Sequence, residues 1–347
     1  MIFFHWAPSL LTFHLTYFGV TFFFVLSGYL ITSNLLYYKQ SVDGGELTTP
    51  AAFLQFYYRR FLRIFPLYYL VIFLILWLAP AMFEGNFAWY VSYLPNFLIY
   101  HQQRWPDMLV PYWSLGVEEQ FYLLWPFLIL LIPWRYLNRL LIGTIILSIV
   151  FKAVLLSFDR NGFYFILPFS QFDAFGIGAW LAFLPFSGRA GLMEKKPYNI
   201  IAFTGFLVLT ALAHRFSDLN SLFNLGFCGC AMFIIHGAQK GIGGFIGKIL
   251  DLPPLQYLGR ISYGLYVYHN FIPWIWRCLN GTEKTYPLPI AVFKWSWAFN
   301  PWIKQLAQAA LLLLIASLSW FLFEKPINHL KNALSFKKRS SLETRQV

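Results

Sequence analysis

The chain has 347 residues with 26 Lys and Arg against 14 Asp and Glu, a net charge of +12, yet only 12% of it is charged and 59% is hydrophobic. Soluble domains carry about 25% charged residues, and a surface this poor in charge cannot be kept in water. Composition therefore excludes a soluble enzyme, a disordered chain and a nucleic-acid-binding module, and leaves an integral membrane protein.

Runs without Asp, Glu, Lys or Arg cover residues 1–38, 64–83, 197–214, 219–239 and 305–323. A helical crossing of the hydrocarbon core needs about 20 apolar residues. Allowing polar residues at the interfaces, crossings are predicted near 17–38, 61–79, 113–133, 140–157, 164–186, 199–213, 221–236, 261–277 and 303–323, preceded by a stub at 1–8. The predicted fold is all-α: a polytopic transmembrane helical bundle of about ten helices with the first truncated at the N-terminus. Residues 1–326 form the membrane domain and 327–347 a basic cytoplasmic tail. The uncharged aromatic stretch 85–103 reads as an interfacial or re-entrant piece on the outer side, because another crossing there would invert every later loop.

The loops test this assignment. Those at 39–60, 134–139, 187–198 and 237–260, with the tail from 324, hold seventeen Lys or Arg. The opposite set, 80–112, 158–163, 214–220 and 278–302, holds five. Cationic loops stay on the cytoplasmic side, so the C-terminus is expected inside and most of the +12 is an orientation signal. Lys337-Lys338-Arg339 is then expected against anionic lipid headgroups, with no nucleic-acid partner. Cys228, Cys230 and Cys278 have no metal-site or disulfide spacing, and Gly241-Ile242-Gly243-Gly244 lacks the setting of a nucleotide fingerprint.

An ionisable side chain at mid-membrane costs roughly 2.5–3.5 kcal/mol even on the mildest scale. His5, Glu118, Glu119, Asp173, His236, His269, Arg277 and Glu324 therefore each need either a structural partner or a function. On a helix, Ser114, Glu118, Tyr122 and Trp125 fall in one stripe, while Glu119 points about 100° away, so the two carboxylates serve different neighbours. The stripe reads as one wall of a polar cavity. Arg59 and Arg63, four apart, share a helix face. They are either ordinary flanking charge or, with Arg60, a clamp whose guanidinium forks match phosphate oxygens. His5 could take and return a proton near neutral pH, as activation of a hydroxyl requires, or be a satisfied structural group.

Several stretches resemble hallmarks of the membrane acyltransferase-3 family, the O-antigen acetylase type. They are Phe22-Phe23-Phe24-Val25-Leu26-Ser27-Gly28-Tyr29-Leu30-Ile31, Arg59-Arg60-Phe61-Leu62-Arg63-Ile64-Phe65-Pro66 and Trp113-Ser114-Leu115-Gly116-Val117-Glu118-Glu119-Gln120-Phe121-Tyr122. Similar in the same order are Phe172-Asp173-Ala174-Phe175-Gly176-Ile177-Gly178, Gly259-Arg260-Ile261-Ser262-Tyr263-Gly264-Leu265-Tyr266 and Phe323-Glu324-Lys325-Pro326.

The resemblance implies transfer of an acyl group, acetyl above all, from cytoplasmic acyl-CoA to a hydroxyl of a cell-surface or exported carbohydrate. It implies acyl-CoA as co-substrate, no bound cofactor, and a place in the plasma (bacterial inner) membrane. His5 matches the family's catalytic histidine, which an arginine precedes by eleven positions, about 16 Å along a helix. Eight residues of first helix reach only about 12 Å, so the start of translation is expected upstream of Met1. On this reading His5 is the general base, with Glu118, Glu119 and Ser114 lining the cavity and orienting His5 or the acceptor. Arg59, Arg60 and Arg63 hold the phosphates, and Trp113 with the aromatic segment before it meets the sugar. The alternatives are a transporter or flippase, which should show two matching halves with broken helices, or an inactive scaffold.

Overall fold

Thirty-one consecutive helical residues, Phe13–Asp43, form α1 in the computed structural model, which describes residues 13–158, 162–188, 220–241, 244–288 and 301–332, with 191, 204–205 and 208. Then follow α2 (Thr49–Leu78), the short α3 (Phe87–Val91) and α4 (Pro95–Gln102), α5 (Tyr112–Leu131), α6 (Trp134–Leu156) and α7 (Phe172–Phe183). Later come α8 (Asn220–Gln239), α9 (Gly244–Leu250), α10 (Pro253–Arg260), α11 (Ser262–Tyr268), α12 (Ile272–Leu279), α13 (Pro301–Ser319) and α14 (Lys325–His329). No strand occurs among the described residues. Five of the helical stretches, Gly19–Asp43, Thr49–Leu78, Tyr112–Leu131, Trp134–Leu156 and Trp302–His329, are long and apolar enough to cross a membrane. Their outer faces expose large apolar side chains, Trp77 at 79% and Leu322 at 76%, as a lipid solvent requires. The chain is a multi-pass membrane protein.

Three expected crossings differ in form. The second begins at Thr49, twelve residues before the expected start, because Thr48 lies in extended backbone and Pro50 suits the first turn of a helix. Arg59, Arg60 and Arg63 consequently lie within α2, past its first turns. The stretch 164–186 is not one helix: two 3₁₀ turns, Phe163–Ile166 and Pro168–Gln171, lead into α7, whose twelve residues rise only about 18 Å. The stretch 261–277 is two helices that part at His269 to Phe271, with Pro273 in the first turn of the second. The expected crossing 199–213 lies largely outside the described residues, as do the stub at 1–8 and residues 333–347 of the tail.

The stretch 85–103 makes α3 and α4, with Tyr93 between them at a φ of 57°. It is fastened inward: Tyr68 and Tyr69 donate to the carbonyls of Tyr90 and Val91 at 2.6 and 2.8 Å, and Gln120 Nε2 to that of Tyr93 at 2.8 Å. Gly116 allows this approach, because a Cβ there would stand 2.9 Å from the Tyr93 carbonyl oxygen.

Two apolar cores result. One lies between α1, α5, α7 and α8 and includes Phe24, Val25, Trp125 and the pair Phe121–Phe175, stacked at 4.0 Å. The other joins α2, α3, the start of α5 and α12 through Tyr68, Ile72, Tyr90, Tyr112 and Trp274. The contact of α1 with α7 is the most extensive in the molecule, and two glycines create it. A Cβ on Gly28 would lie 2.1 Å from the Phe175 carbonyl oxygen, and one on Gly178 1.9 Å from that of Val25. Backbones this close are the means by which membrane helices gain packing energy without a hydrophobic drive between them.

Gly178→Ala is expected to destabilise the bundle by about 3 kcal/mol, the upper range for overpacking, since both clashing groups are backbone and cannot step aside. Gly143→Ala on α6, which meets nothing within 4 Å, should be neutral or mildly stabilising. Apparent melting midpoints of the detergent-solubilised variants measure both, and a Gly178→Ala protein that melts with the parent refutes the close contact.

Candidate active site

The two cores meet at the middle of α5, where Glu118, Glu119 and Gln120 interrupt an otherwise apolar helix. Glu118 and Glu119 are half-buried, between α1 and α2. The two carboxylates do turn to different neighbours. Glu118 Oε1 accepts a hydrogen bond from Ser27 of α1, and the Tyr122 hydroxyl shares its one proton between Glu118 Oε1 at 3.3 Å and Ser27 Oγ at 3.1 Å. Two hydroxyls, one from α1 and one from α5, thus hold one carboxylate oxygen in place. Glu119 faces Tyr68, Tyr69, Tyr93 and Tyr263, and its Oε1 is buried with no hydrogen-bond partner.

Arg60 stands over the Tyr122 ring, 5.4 Å from its centre, and its positive field reaches both Glu118 and Glu119. Arg59 and Arg63 are exposed on the adjoining face of α2. The three arginines therefore divide: Arg60 turns to the carboxylates and the other two face outward. Arg63 also acts electrostatically on Glu118 and on Glu324. A π-helical turn at Trp320–Glu324 points Glu324 into the bundle, where it accepts from Ser319 at 3.0 Å and packs against Gly264. One extra residue per turn shifts the helix register locally, and such turns gather at functional sites.

Two expected site residues are held differently. Trp113 is 5% exposed and packed edge-on against Phe24 and Phe165, at 6.1 and 5.7 Å between ring centres. It is part of the core, with no face left for a sugar, because α5 turns it toward α1 rather than toward the outer segment. Ser114 is buried, bonded to the Tyr266 hydroxyl; both also reach the Pro111 carbonyl, at 3.1 and 3.0 Å. His5 lies outside the described residues.

The remaining buried ionisable groups have structural partners. Asp173 pairs with Lys152 of α6 and accepts from Asn224 of α8 at 3.1 and 3.3 Å, and Asn224 in turn accepts from Thr21 of α1 at 3.0 Å. His269, fully buried, donates from Nδ1 to the Tyr266 carbonyl at 2.6 Å, the only role a carbonyl leaves it. Arg277 pairs with Glu283 at 2.6 Å. That loop lies beyond the helices: burial alone would raise the Glu283 carboxyl, but Arg277 and the backbone N–H groups of Tyr286 and Thr285 bring it below the usual range. His236 is half-buried near the end of α8. The cysteines are buried and unpaired, and the described residues include no cluster of three or more metal-ligating side chains.

Tyr122 is legible in the stripe of α5, but Ser27, Tyr68, Tyr69, Tyr263 and Tyr266 carry no such signal of their own. Ser27 stood inside a recognisable motif, but nothing in its spacing says that it meets Glu118, 91 positions away. Tyr263 and Tyr266 likewise sit in a motif whose role depends on α11 crossing α2 and α5: Tyr263 donates to the Ile64 carbonyl at 2.9 Å.

A carboxylate fixed by two hydroxyls, with a guanidinium alongside, can orient a hydroxyl nucleophile or an imidazole and stabilise charge that develops there. The comparisons agree with such chemistry. The peptidoglycan O-acetyltransferase OatA of Listeria monocytogenes is 29% identical over 337 residues, covering 89% of this chain and 51% of the relative. The O-acetyltransferase OatA of Staphylococcus aureus is 31% identical over 284 residues, covering 72% and 45%. The chain thus spans about half the length of these relatives. No solved structure matches it. Residues 1–325 match the family described as an acyltransferase domain, a span that takes in Ser27, Arg60, Glu118 and every helix that holds them; the chain belongs to that family.

Proposed function

We propose that this chain carries an acetyl group from acyl-CoA, bound on the cytoplasmic side of the plasma membrane, to a hydroxyl of a cell-envelope carbohydrate, with peptidoglycan the leading acceptor. The observation that carries this reading is the Glu118 carboxylate held by Ser27 and Tyr122 beside Arg60, in a chain whose relatives are named for O-acetylation. Arg59, Arg60 and Arg63 bind the phosphates of the donor, and the thioester extends inward past Tyr122. His5 removes the proton from the acceptor hydroxyl as its oxygen attacks the thioester carbonyl, and the CoA thiolate leaves. Glu118 orients the histidine or the hydroxyl. Glu119 and its ring of tyrosines line the path of the acceptor.

The test is transfer of radiolabelled acetyl from acetyl-CoA to extracted peptidoglycan by membranes containing the full chain. Label should enter the glycan, and His5→Ala should abolish it while leaving the amount of inserted protein unchanged. Transfer that persists in His5→Ala removes the histidine from the mechanism. Glycan that crosses the membrane unlabelled would make the chain a transporter.

A further inference from the structure

The chain after the last crossing turns back onto α2. The Tyr58 hydroxyl donates to the Leu330 carbonyl at 3.2 Å, which fastens the backbone beside Arg59. The next residue, Lys331, is half-buried there and lies within the field of Arg59, Arg60 and Arg63. Four cations from two distant parts of the chain are thereby brought together. Among the described residues none of the four has a carboxylate at ion-pairing distance; the ion pairs formed elsewhere are those of Arg104, Lys152 and Arg277. Glu118, Glu119 and Glu324 act on Arg60 and Arg63 only from beyond ion-pairing distance, so the like charges still repel one another, and an anion in their midst makes the cluster favourable. The repulsion is legible in Lys331 itself: burial, and then the charges of Arg63, Arg60 and Arg59, hold its amine down to about 8.

We propose that Lys331 is a fourth phosphate-binding cation and that the turn Leu330–Asn332 forms one side of the site, against a phosphorylated ligand held by α2. This deepens the donor reading and rests on it: the expected ligand is the phosphate-rich end of acyl-CoA. A phospholipid headgroup presents the same chemistry.

The experiment uses the full chain in discs of zwitterionic phosphatidylcholine, titrated with desulfo-CoA, which keeps the phosphates and lacks the thiol. Lys331→Ala should weaken binding about tenfold, the effect of one charge-assisted contact, and Lys331→Arg should stay within about threefold of the parent. Binding by the parent should also weaken as pH rises from 7 to 9 and Lys331 loses its proton, while Lys331→Arg holds level. The other groups acting on the cluster are Tyr38 of α1, Glu118, Glu119 and Tyr122 of α5, and Glu324 on the segment of Lys331, where Lys325 and His329 also lie. The arginines keep their charge throughout that range and the carboxylates are common to both proteins, so the difference in slope between the parent and Lys331→Arg belongs to Lys331.

If Arg60→Ala loses desulfo-CoA and Lys331→Ala binds it as the parent does, the inference about Lys331 fails and the donor site on α2 stands. If neither variant loses it, the donor reading fails as well. If Lys331→Ala leaves desulfo-CoA binding intact but loses retained phosphatidylglycerol on purification, the anion is a lipid headgroup, and the turn does not serve the donor.

Discussion

Glu118→Gln is expected to lower the turnover of acyl transfer by at least about a hundredfold, within the range for groups that position or move a proton. The amide keeps the size of the side chain and an oxygen that can still accept from Ser27 and Tyr122. It loses the negative charge that Arg60 faces and that an attacking hydroxyl or imidazole would use. Ser27→Ala and Tyr122→Phe each remove one of the two bonds on Glu118 Oε1 and are expected to have effects of about tenfold, because the carboxylate stays charged but less well held. Initial rates of acetyl transfer to glycan, resolved into kcat and the KM for acetyl-CoA, measure all three. The loss should fall on kcat, since Glu118 acts on the reacting hydroxyl or imidazole and makes no contact with the donor's phosphates in the proposed arrangement. A Glu118→Gln protein that turns over within about threefold of the parent takes the charge out of the reaction.

The second large effect is on stability. Asp173→Ala is expected to cost about 3–5 kcal/mol, the usual result of removing one partner of a buried ion pair. Lys152, itself buried, would be left with an uncompensated charge, and Asn224 would lose the acceptor that ties α8 to α7. Because Asn224 also accepts from Thr21, the one deletion loosens α1, α6, α7 and α8 together. Replacing both partners, Lys152→Met with Asp173→Leu, should recover most of the loss, as buried pairs exchanged for apolar side chains of similar volume often do. The melting midpoint of detergent-solubilised protein and the yield of monodisperse material measure the series. A double variant as unstable as Asp173→Ala would mean that the hydrogen bonds of Asn224, and not the charge, hold the four helices together.

Both cases mark how far the residues alone could be read. The membrane class and the all-helical fold follow from composition and from the lengths of uncharged runs, because lipid admits few solutions for a buried backbone. The divergence of Glu118 from Glu119 was likewise available, since helical geometry turns successive residues by about 100°. What a linear pattern lacks is the partner across the bundle. Asp173 looked as open to function as Glu118 until Lys152 and Asn224 were found against it. Trp113 looked like a sugar platform until α1 and Phe165 covered it.

The basic charge that opened the reading shows the same division. By itself the sequence determined that its cations sort to one set of loops, because orientation depends only on which segments carry them. Packing alone sets Arg60 over Tyr122, within the field of the carboxylates, while Arg59 and Arg63 face outward, and brings Lys331 to them across 268 positions from Arg63. Charge is a property of each residue and is written in the chain. Whether a charge is neutralised or left open for a ligand depends on contacts between helices far apart in sequence, and those exist only once Gly28 and Gly178 have let the bundle close.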